Sequence, residues 1–228
     1  MAWSLREFAD AQAQVDALAE AARACLERAL RERAQAVLAV SGGRSPIPLF
    51  ARLRELDLDW SRVILTLVDE RLVPAGHPDS NEGLVREHLL QGRAAKARLL
   101  GLATDPALDL GECVRRASLE IPPVDLALLG MGEDGHTASL FAGAPGIQAA
   151  LDPDNPARYV GVMPPAAPHA RISMSLSALL RCPDLLLSIA GQAKRRVFDA
   201  ACADPRSALP VARLLHQDRV TVRSYWTA

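Results

Sequence analysis

The sequence predicts an α/β fold, a mainly parallel sheet with helices on both faces. Short apolar runs rich in valine, leucine and isoleucine recur along the 228 residues, amphipathic stretches separate most of them, and several runs end abruptly in glycine, serine or charged residues. Strands buried on both faces read as continuous apolar runs, and their alternation with helical patterns is what a parallel sheet with crossover helices produces. Hydrophobic residues make up 50% of the chain. That is enough to bury a sizeable core, and the length suits one domain over 1–228.

The first expected element is an amphipathic helix over 5–33, because Val15, Leu18, Ala19, Ala22, Leu26 and Leu30 recur at helical spacing. Strands are expected at 36–40, 63–68, 125–129, 159–163, 171–176, 185–190 and 219–223, where apolar and β-branched residues cluster. Between them, helical patterns cover 47–55, 80–90, 108–120 and 192–203. Residues 142–170 are rich in proline and glycine and read as long loops, while Tyr225 and Trp226 read as ordinary packing near the chain end.

Composition narrows the function. The formal net charge is −1, so there is no electrostatic footprint for nucleic acid or an anionic membrane, and a small molecule is the expected partner. No run approaches the length of a membrane span, and Arg6, Glu7 and Asp10 interrupt the place a signal peptide would need. A cytoplasmic location is expected. Cys25, Cys113, Cys182 and Cys202 are scattered without close pairs, which predicts neither disulfide nor structural metal. Of the 26 basic residues all but Lys96 and Lys194 are arginine, which makes the context of each lysine worth noting.

Chemistry concentrates where strands end. After the run 124–129 comes Gly130-Met131-Gly132-Glu133-Asp134-Gly135-His136-Thr137, a glycine-rich turn that sets a histidine before an expected helix start. Glycines let the backbone turn sharply and approach a ligand, and imidazole exchanges protons near neutrality. Asp134, two residues before His136, is placed to hold the imidazole in one tautomer and to stabilise its charged form. The spacing Gly130-x-Gly132-x-x-Gly135 overlaps a dinucleotide fingerprint, but Ala142-Gly143-Ala144-Pro145-Gly146 breaks the following helix too early for that unit.

Three further stations share this logic. Ser41-Gly42-Gly43-Arg44-Ser45-Pro46 follows the strand at 36–40 and exposes consecutive backbone N–H groups, with serine hydroxyls beside them, as in a phosphate-binding nest. It lacks Walker spacing. Asp69-Glu70-Arg71 places three charges at the end of the strand at 63–68, a costly arrangement unless they are paired or turned to a ligand. Arg71 offers a bidentate fork for phosphate, Asp79 or Ser80 an N-cap for the next helix, and Asn81 is expected to face the cleft. Finally, Arg171 begins a strand and Lys194 lies in the first turn of a helix, where the macrodipole disfavours a cation unless an anion accompanies it.

These segments together resemble the glucosamine-6-phosphate isomerase/6-phosphogluconolactonase family. The resemblance spans nearly the whole chain. It is carried by Ser41-Gly42-Gly43-Arg44-Ser45-Pro46, Asp69-Glu70-Arg71-x-Val73-Pro74 with His77-x-Asp79-Ser80-Asn81, the run from Gly130 to Phe141, and Gly191-x-x-Lys194. Two departures are mild: Ala142 stands where proline is usual, and Arg44-Ser45 stand where Ser-Thr is common. The resemblance implies a Rossmann-like, glucosamine-6-phosphate deaminase-like fold and no required cofactor or metal. It also implies hydrolysis of 6-phospho-D-glucono-1,5-lactone to 6-phosphogluconate in the oxidative pentose phosphate pathway.

On that implication His136 is the general base and Asp134 its support. Ser41, Gly42, Gly43, Arg44, Asp69, Arg71, Asn81, Thr137, Arg171 and Lys194 bind the sugar phosphate, with oxyanion donors near Gly42-Gly43 or Gly132. A deaminase of the same family would continue after Asp-Gly-His with an Asn-Glu-Pro segment, whereas Ser139-Leu140-Phe141 supplies no carboxylate. A sugar-phosphate-sensing regulator would carry a basic helix-turn-helix, which residues 1–36 do not offer.

Overall fold

A computed structural model of the chain describes residues 3–103 and 109–228. Among the described residues ten strands and eight α-helices follow one another, the first half in the order β1 (Trp3–Phe8), α1 (Ala11–Glu32), β2 (Ala36–Val40), α2 (Ile47–Leu53), β3 (Val63–Leu67), β4 (Asp69–Arg71), α3 (Asn81–His88) and β5 (Arg98–Leu99). The second half adds α4 (Leu110–Glu120), β6 (Leu126–Gly130), α5 (Ile147–Ala150), β7 (Tyr159–Val162), β8 (Arg171–Met174), α6 (Leu176–Leu180), β9 (Asp184–Ala190), α7 (Gln192–Ala203), α8 (Pro210–Leu215) and β10 (Val222–Thr227). Seven strands form one parallel sheet in the order β1-β10-β9-β6-β2-β3-β5. The central strands β2 and β3 are buried along their whole length, as strands covered on both faces must be.

The expected helix over 5–33 divides in two. Residues Trp3–Phe8 form an edge strand parallel to β10, and the helix begins only after Asp10, whose carboxylate accepts from the Ala13 N–H at 2.8 Å. The Phe8 ring stacks on Tyr225 with centroids 5.8 Å apart. That partner lies at the other end of the chain, which is why local periodicity missed the strand. The same pairing moves the last strand to Val222–Thr227, so Tyr225 and Trp226 belong to the sheet. The start of the helix expected over 108–120 lies outside the described residues, and the helix observed is Leu110–Glu120. The stretch 142–170 contains α5 and β7 as well as loops.

The strands expected at 159–163 and 171–176 do not join the parallel sheet. They pair antiparallel as β7 and β8, with β4 on the other side of β8, in a second three-stranded sheet. Val68 is the hinge between the sheets. Its N–H donates to Val40 C=O at 3.0 Å in the parallel sheet, and its C=O accepts from Met174 N–H at 2.8 Å. Buried residues of both sheets form one apolar cluster, including Leu65, Leu67, Val68, Leu128, Ile172 and Met174. Among the described residues no helix is long and apolar enough to cross a membrane.

Glu70 resolves part of the cost of the charged triplet. Alternation along β4 turns it away from its neighbours, and its buried carboxylate accepts from the N–H groups of Arg71, Asn81 and Glu82 and from the Ser80 hydroxyl, at 2.6–3.1 Å. Two of these donors are unpaired N–H groups of the first turn of α3, and Ser80 caps Gly83 N–H beside them. Burial pushes the Glu70 pKa up, outweighing the donors that favour its charged form. Glu70→Gln sets an amide NH₂ against N–H donors. It is expected to lower unfolding stability by about 1–3 kcal/mol, measured by urea denaturation at neutral pH.

Candidate active site

The sheet order reverses between β2 and β6. The chain runs outward from β2 through β3 to β5, then returns to place β6 on the other side of β2. In open parallel sheets such a switch opens a crevice beyond the carboxyl ends of the strands. Here a cleft of about 460 Å³ lies there, lined by the residues after β2 and β6, by the start of α7 after β9, and by β4 and β8. Of the twelve residues proposed from sequence, nine line it: Ser41, Gly42, Gly43, Asp69, Arg71, Asn81, His136, Arg171 and Lys194.

His136 is carried by the turn leaving β6, and the expected helix does not follow it. Thr137 and Leu140 form an isolated bridge, with Ala138 at φ 49°, so backbone N–H groups of a helix N-terminus are not the local field at this imidazole. Asp134 is what orients it. Its Oδ1 accepts from the His136 backbone N–H at 3.2 Å and lies 2.5 Å from Nδ1. Burial opposes the Asp134 charge, but the hydrogen bond and charge of His136 and two backbone donors outweigh it and hold the pKa below the ordinary value. An ionised carboxylate at Nδ1 assigns the proton to that nitrogen and leaves Nε2 as the acceptor. Gly132 lies under the ring, and a Cβ there would overlap His136 Nδ1 and Asp134 Oδ1. The Phe141 ring packs on the imidazole with centroids 4.4 Å apart and planes at 36°.

Across the cleft the decisive pairing is between two cations. Arg71 on β4 and Arg171 on β8 occupy the same rung of the antiparallel ladder. Both Nε atoms are buried without a hydrogen-bond partner. Burial, then the like charge of Arg71, pulls the Arg171 pKa down, against Asp69, Glu70 and Asp79. Like charges directly opposite in a ladder repel, and buried donors without acceptors are costly. An anion in the cleft would offset both costs. Phe141 links the two sides, since the Arg171 guanidinium carbon lies 6.0 Å from its ring centroid.

Several residues brace this frame. Ser41 Oγ donates to Leu128 C=O at 3.0 Å and accepts from Gly130 N–H at 3.2 Å, tying the turn after β2 to the end of β6. Its hydroxyl is thus committed to the backbone rather than free as a ligand donor. Asp69 accepts from Ser139 Oγ at 2.6 Å, and its C=O accepts from Asn81 Nδ2 at 2.8 Å. Lys194 enters the cleft from the first turn of α7. Three expected residues are not brought to the cleft wall. Arg44 is exposed beside it. Asp134 stands behind His136, and Thr137 is buried with its Oγ1 donating to Gly130 C=O at 2.9 Å, so its hydroxyl is spent on closing the turn. Gln14, Phe141 and Ser139 were missed. Gln14 lines the cleft from α1 and donates to Ile189 C=O and Tyr225 C=O; its isolated polar place on an apolar helix face was the only signal.

With this geometry in view, comparison with known proteins is decisive. The model of the family described as glucosamine-6-phosphate isomerases/6-phosphogluconolactonase matches residues 9–223. The chain belongs to this family. A Pseudomonas aeruginosa protein named 6-phosphogluconolactonase is 43% identical, covering 97% of this chain and 94% of the relative. One from Neisseria meningitidis is 40% identical over 96% and 97%. A crystal structure of a 6-phosphogluconolactonase from Shewanella baltica superposes with TM-score 0.92 at 37% identity, covering 98% and 97%. A monomeric glucosamine-6-phosphate deaminase superposes with TM-score 0.81 at 17% identity, covering 98% and 97%, and shares the fold. The mainly parallel sheet of the glucosamine-6-phosphate isomerase/6-phosphogluconolactonase family is therefore the fold of this chain.

Gly42 is a point where the frame leaves no room, since a Cβ there would overlap the Asn81 amide. Gly42→Ala is expected to destabilise the protein by about 1–3 kcal/mol. Combining it with Asn81→Ala recovers part of that loss, and a double-mutant cycle in thermal unfolding measures a coupling of about 0.5 kcal/mol or more.

Proposed function

We propose that this chain hydrolyses 6-phospho-D-glucono-1,5-lactone to 6-phosphogluconate, the lactone-opening step of the oxidative pentose phosphate pathway, and that 1–228 acts as one lactonase domain in the cytoplasm. Relatives about 40% identical over nearly the full length support the activity. The observation that carries the mechanism is that His136, its Nδ1 held by Asp134, shares one cleft with the Arg71–Arg171 pair and Lys194.

The phosphate is held by Arg71, Arg171 and Lys194, whose planar forks and ammonium supply donors to its oxygens. That remote grip orients the lactone ring, converting attack by water into a positioned event. His136 Nε2 removes a proton from water as the water oxygen bonds to the lactone carbonyl carbon. The imidazolium then returns the proton to the ring oxygen as the carbon–oxygen bond breaks. Asp134 stabilises the imidazolium between these transfers. Gly132 N–H is committed to His136 C=O at 2.9 Å, so oxyanion donation falls to the Gly42–Gly43 loop rather than to Gly132. Asn81 and Asp69 shape the sugar side of the cleft. The chemistry needs neither cofactor nor metal, and the partner is a small sugar phosphate rather than nucleic acid or membrane.

The test is the disappearance of freshly generated 6-phosphogluconolactone measured against its spontaneous hydrolysis. Acceleration that survives a chelator supports the reading. Ammonia release from glucosamine 6-phosphate, with no effect on the lactone, overturns it. His136→Ala is expected to lower kcat by about 100-fold or more while product binding persists, and an unchanged kcat removes His136 from the mechanism. For Lys194→Ala the expected change is a higher KM with kcat nearly kept, read from steady-state kinetics; a pure loss of kcat contradicts the phosphate role.

A further inference from the structure

Beside the arginine pair, at the lip of the cleft, three metal-ligating side chains meet that the lactonase chemistry does not use. The β4–β8 ladder continues one step past Arg71 and Arg171, where Leu72 N–H donates to Ala170 C=O at 2.8 Å. The segment leaving β4 and the segment entering β8 therefore run side by side. The first carries His77 and Asp79, the second His169. His169 Nε2 lies 3.2 Å from Asp79 Oδ2, and His77 Nδ1 lies 3.9 Å from the same oxygen. The ligand atoms of the three residues all fall within 4.8 Å of one another. The imidazole rings stand nearly edge to face, with centroids 5.3 Å apart and planes at 77°.

We infer that His77, Asp79 and His169 form a binding site for one divalent transition-metal ion of the Zn²⁺ class, joining the segment after β4 to the segment before β8. Donors about 2.0–2.1 Å from a tetrahedral ion stand about 3.3–3.4 Å apart. The His169–Asp79 pair is near that spacing already, and the remaining ligand atoms lie within 4.8 Å of one another. Two imidazoles and one carboxylate select a borderline-soft ion over Mg²⁺ or Ca²⁺, which take oxygen ligands. A three-ligand set also leaves a coordination position for water. The site is open to solvent, with side-chain exposures of 39% for His77, 52% for Asp79 and 29% for His169.

Two local features tune it. The Asp79 N–H donates to His77 Nδ1 at 3.1 Å, so the ion takes that lone pair in place of the amide. Arg71 donates to Asp79 C=O at 2.5 Å, which fixes the loop but sets a positive charge near the ion, offset by the Asp79 carboxylate. His169 sits at φ 68°, a region where only Gly and, more weakly, Asn, Asp and His are at home. Elsewhere, burial raises the Cys182 and Cys202 pKa values to about 12, which makes these thiols poor competitors for the metal.

The experiment is calorimetric titration of the full chain with Zn²⁺ in a non-coordinating buffer without substrate, so that its result is independent of the hydrolytic reading. Wild type is expected to bind one equivalent at this site. His169→Asn, which keeps the backbone conformation, His77→Gln and Asp79→Asn are each expected to weaken binding about tenfold or more, at least what loss of an outer partner costs a metal site. His136→Ala is expected to leave it unchanged. No binding by wild type, wild-type affinity in the His169 and His77 variants, or a loss confined to His136→Ala overturns the assignment.

Discussion

Two guanidinium groups set opposite each other on one rung of an antiparallel ladder, both with a buried Nε lacking any partner, impose the constraint on which the rest of this molecule turns. Left alone, such a pair is unfavourable twice over, through like-charge repulsion and through desolvated donors. The fold sustains it because the positions are over-determined. Val68 bonds into both sheets, Glu70 accepts from three donors at the start of α3 and from the Arg71 N–H, and Asp79 receives an Arg71 N–H through its carbonyl. Strain of this kind persists where surrounding structure holds it and a ligand relieves it.

The opposite wall of the cleft is built on a different principle. Its histidine is held by chemistry within a single turn, with Asp134 on Nδ1, Gly132 beneath the ring and Phe141 against its side. The cationic wall is thus assembled from two distant strands, and the histidine with its supports from the ten residues 132–141. Phe141 touches both, packing on His136 while Arg171 lies over its ring. The Ser41 hydroxyl locks the turn after β2 to the end of β6, fixing the crevice floor between the two walls.

Much of the site was legible because its chemistry violates the pattern around it. Glycines interrupting an apolar strand, charges at a strand end, and a lysine in the first turn of a helix are each locally unfavourable, and these segments line the cleft. The departures have equally local causes. Thr137 looked available because a hydroxyl beside a histidine is a natural donor, but the turn needed it to close on Gly130. Arg44 follows a nest-forming pair yet points to solvent, since α2 begins only at Ile47. Gln14 gave only its isolated polar place on an apolar helix face, and Ser139 lay inside the glycine–histidine motif with nothing local to show that it donates to Asp69.

What the sequence alone determined was the alternation of buried strands and helices and the motif residues, because apolar periodicity and turn chemistry are properties of neighbouring residues. What only the tertiary structure decided was pairing across distance. Trp3–Phe8 became a strand because β10, from the far end of the chain, offered it an edge. Residues 171–174 left the parallel sheet because β4 turned away at Val68 to meet them. Arg71 met Arg171, and His77 met His169, for the same reason: the free energy of bringing two segments together depends on burial and hydrogen bonds that neither segment encodes by itself.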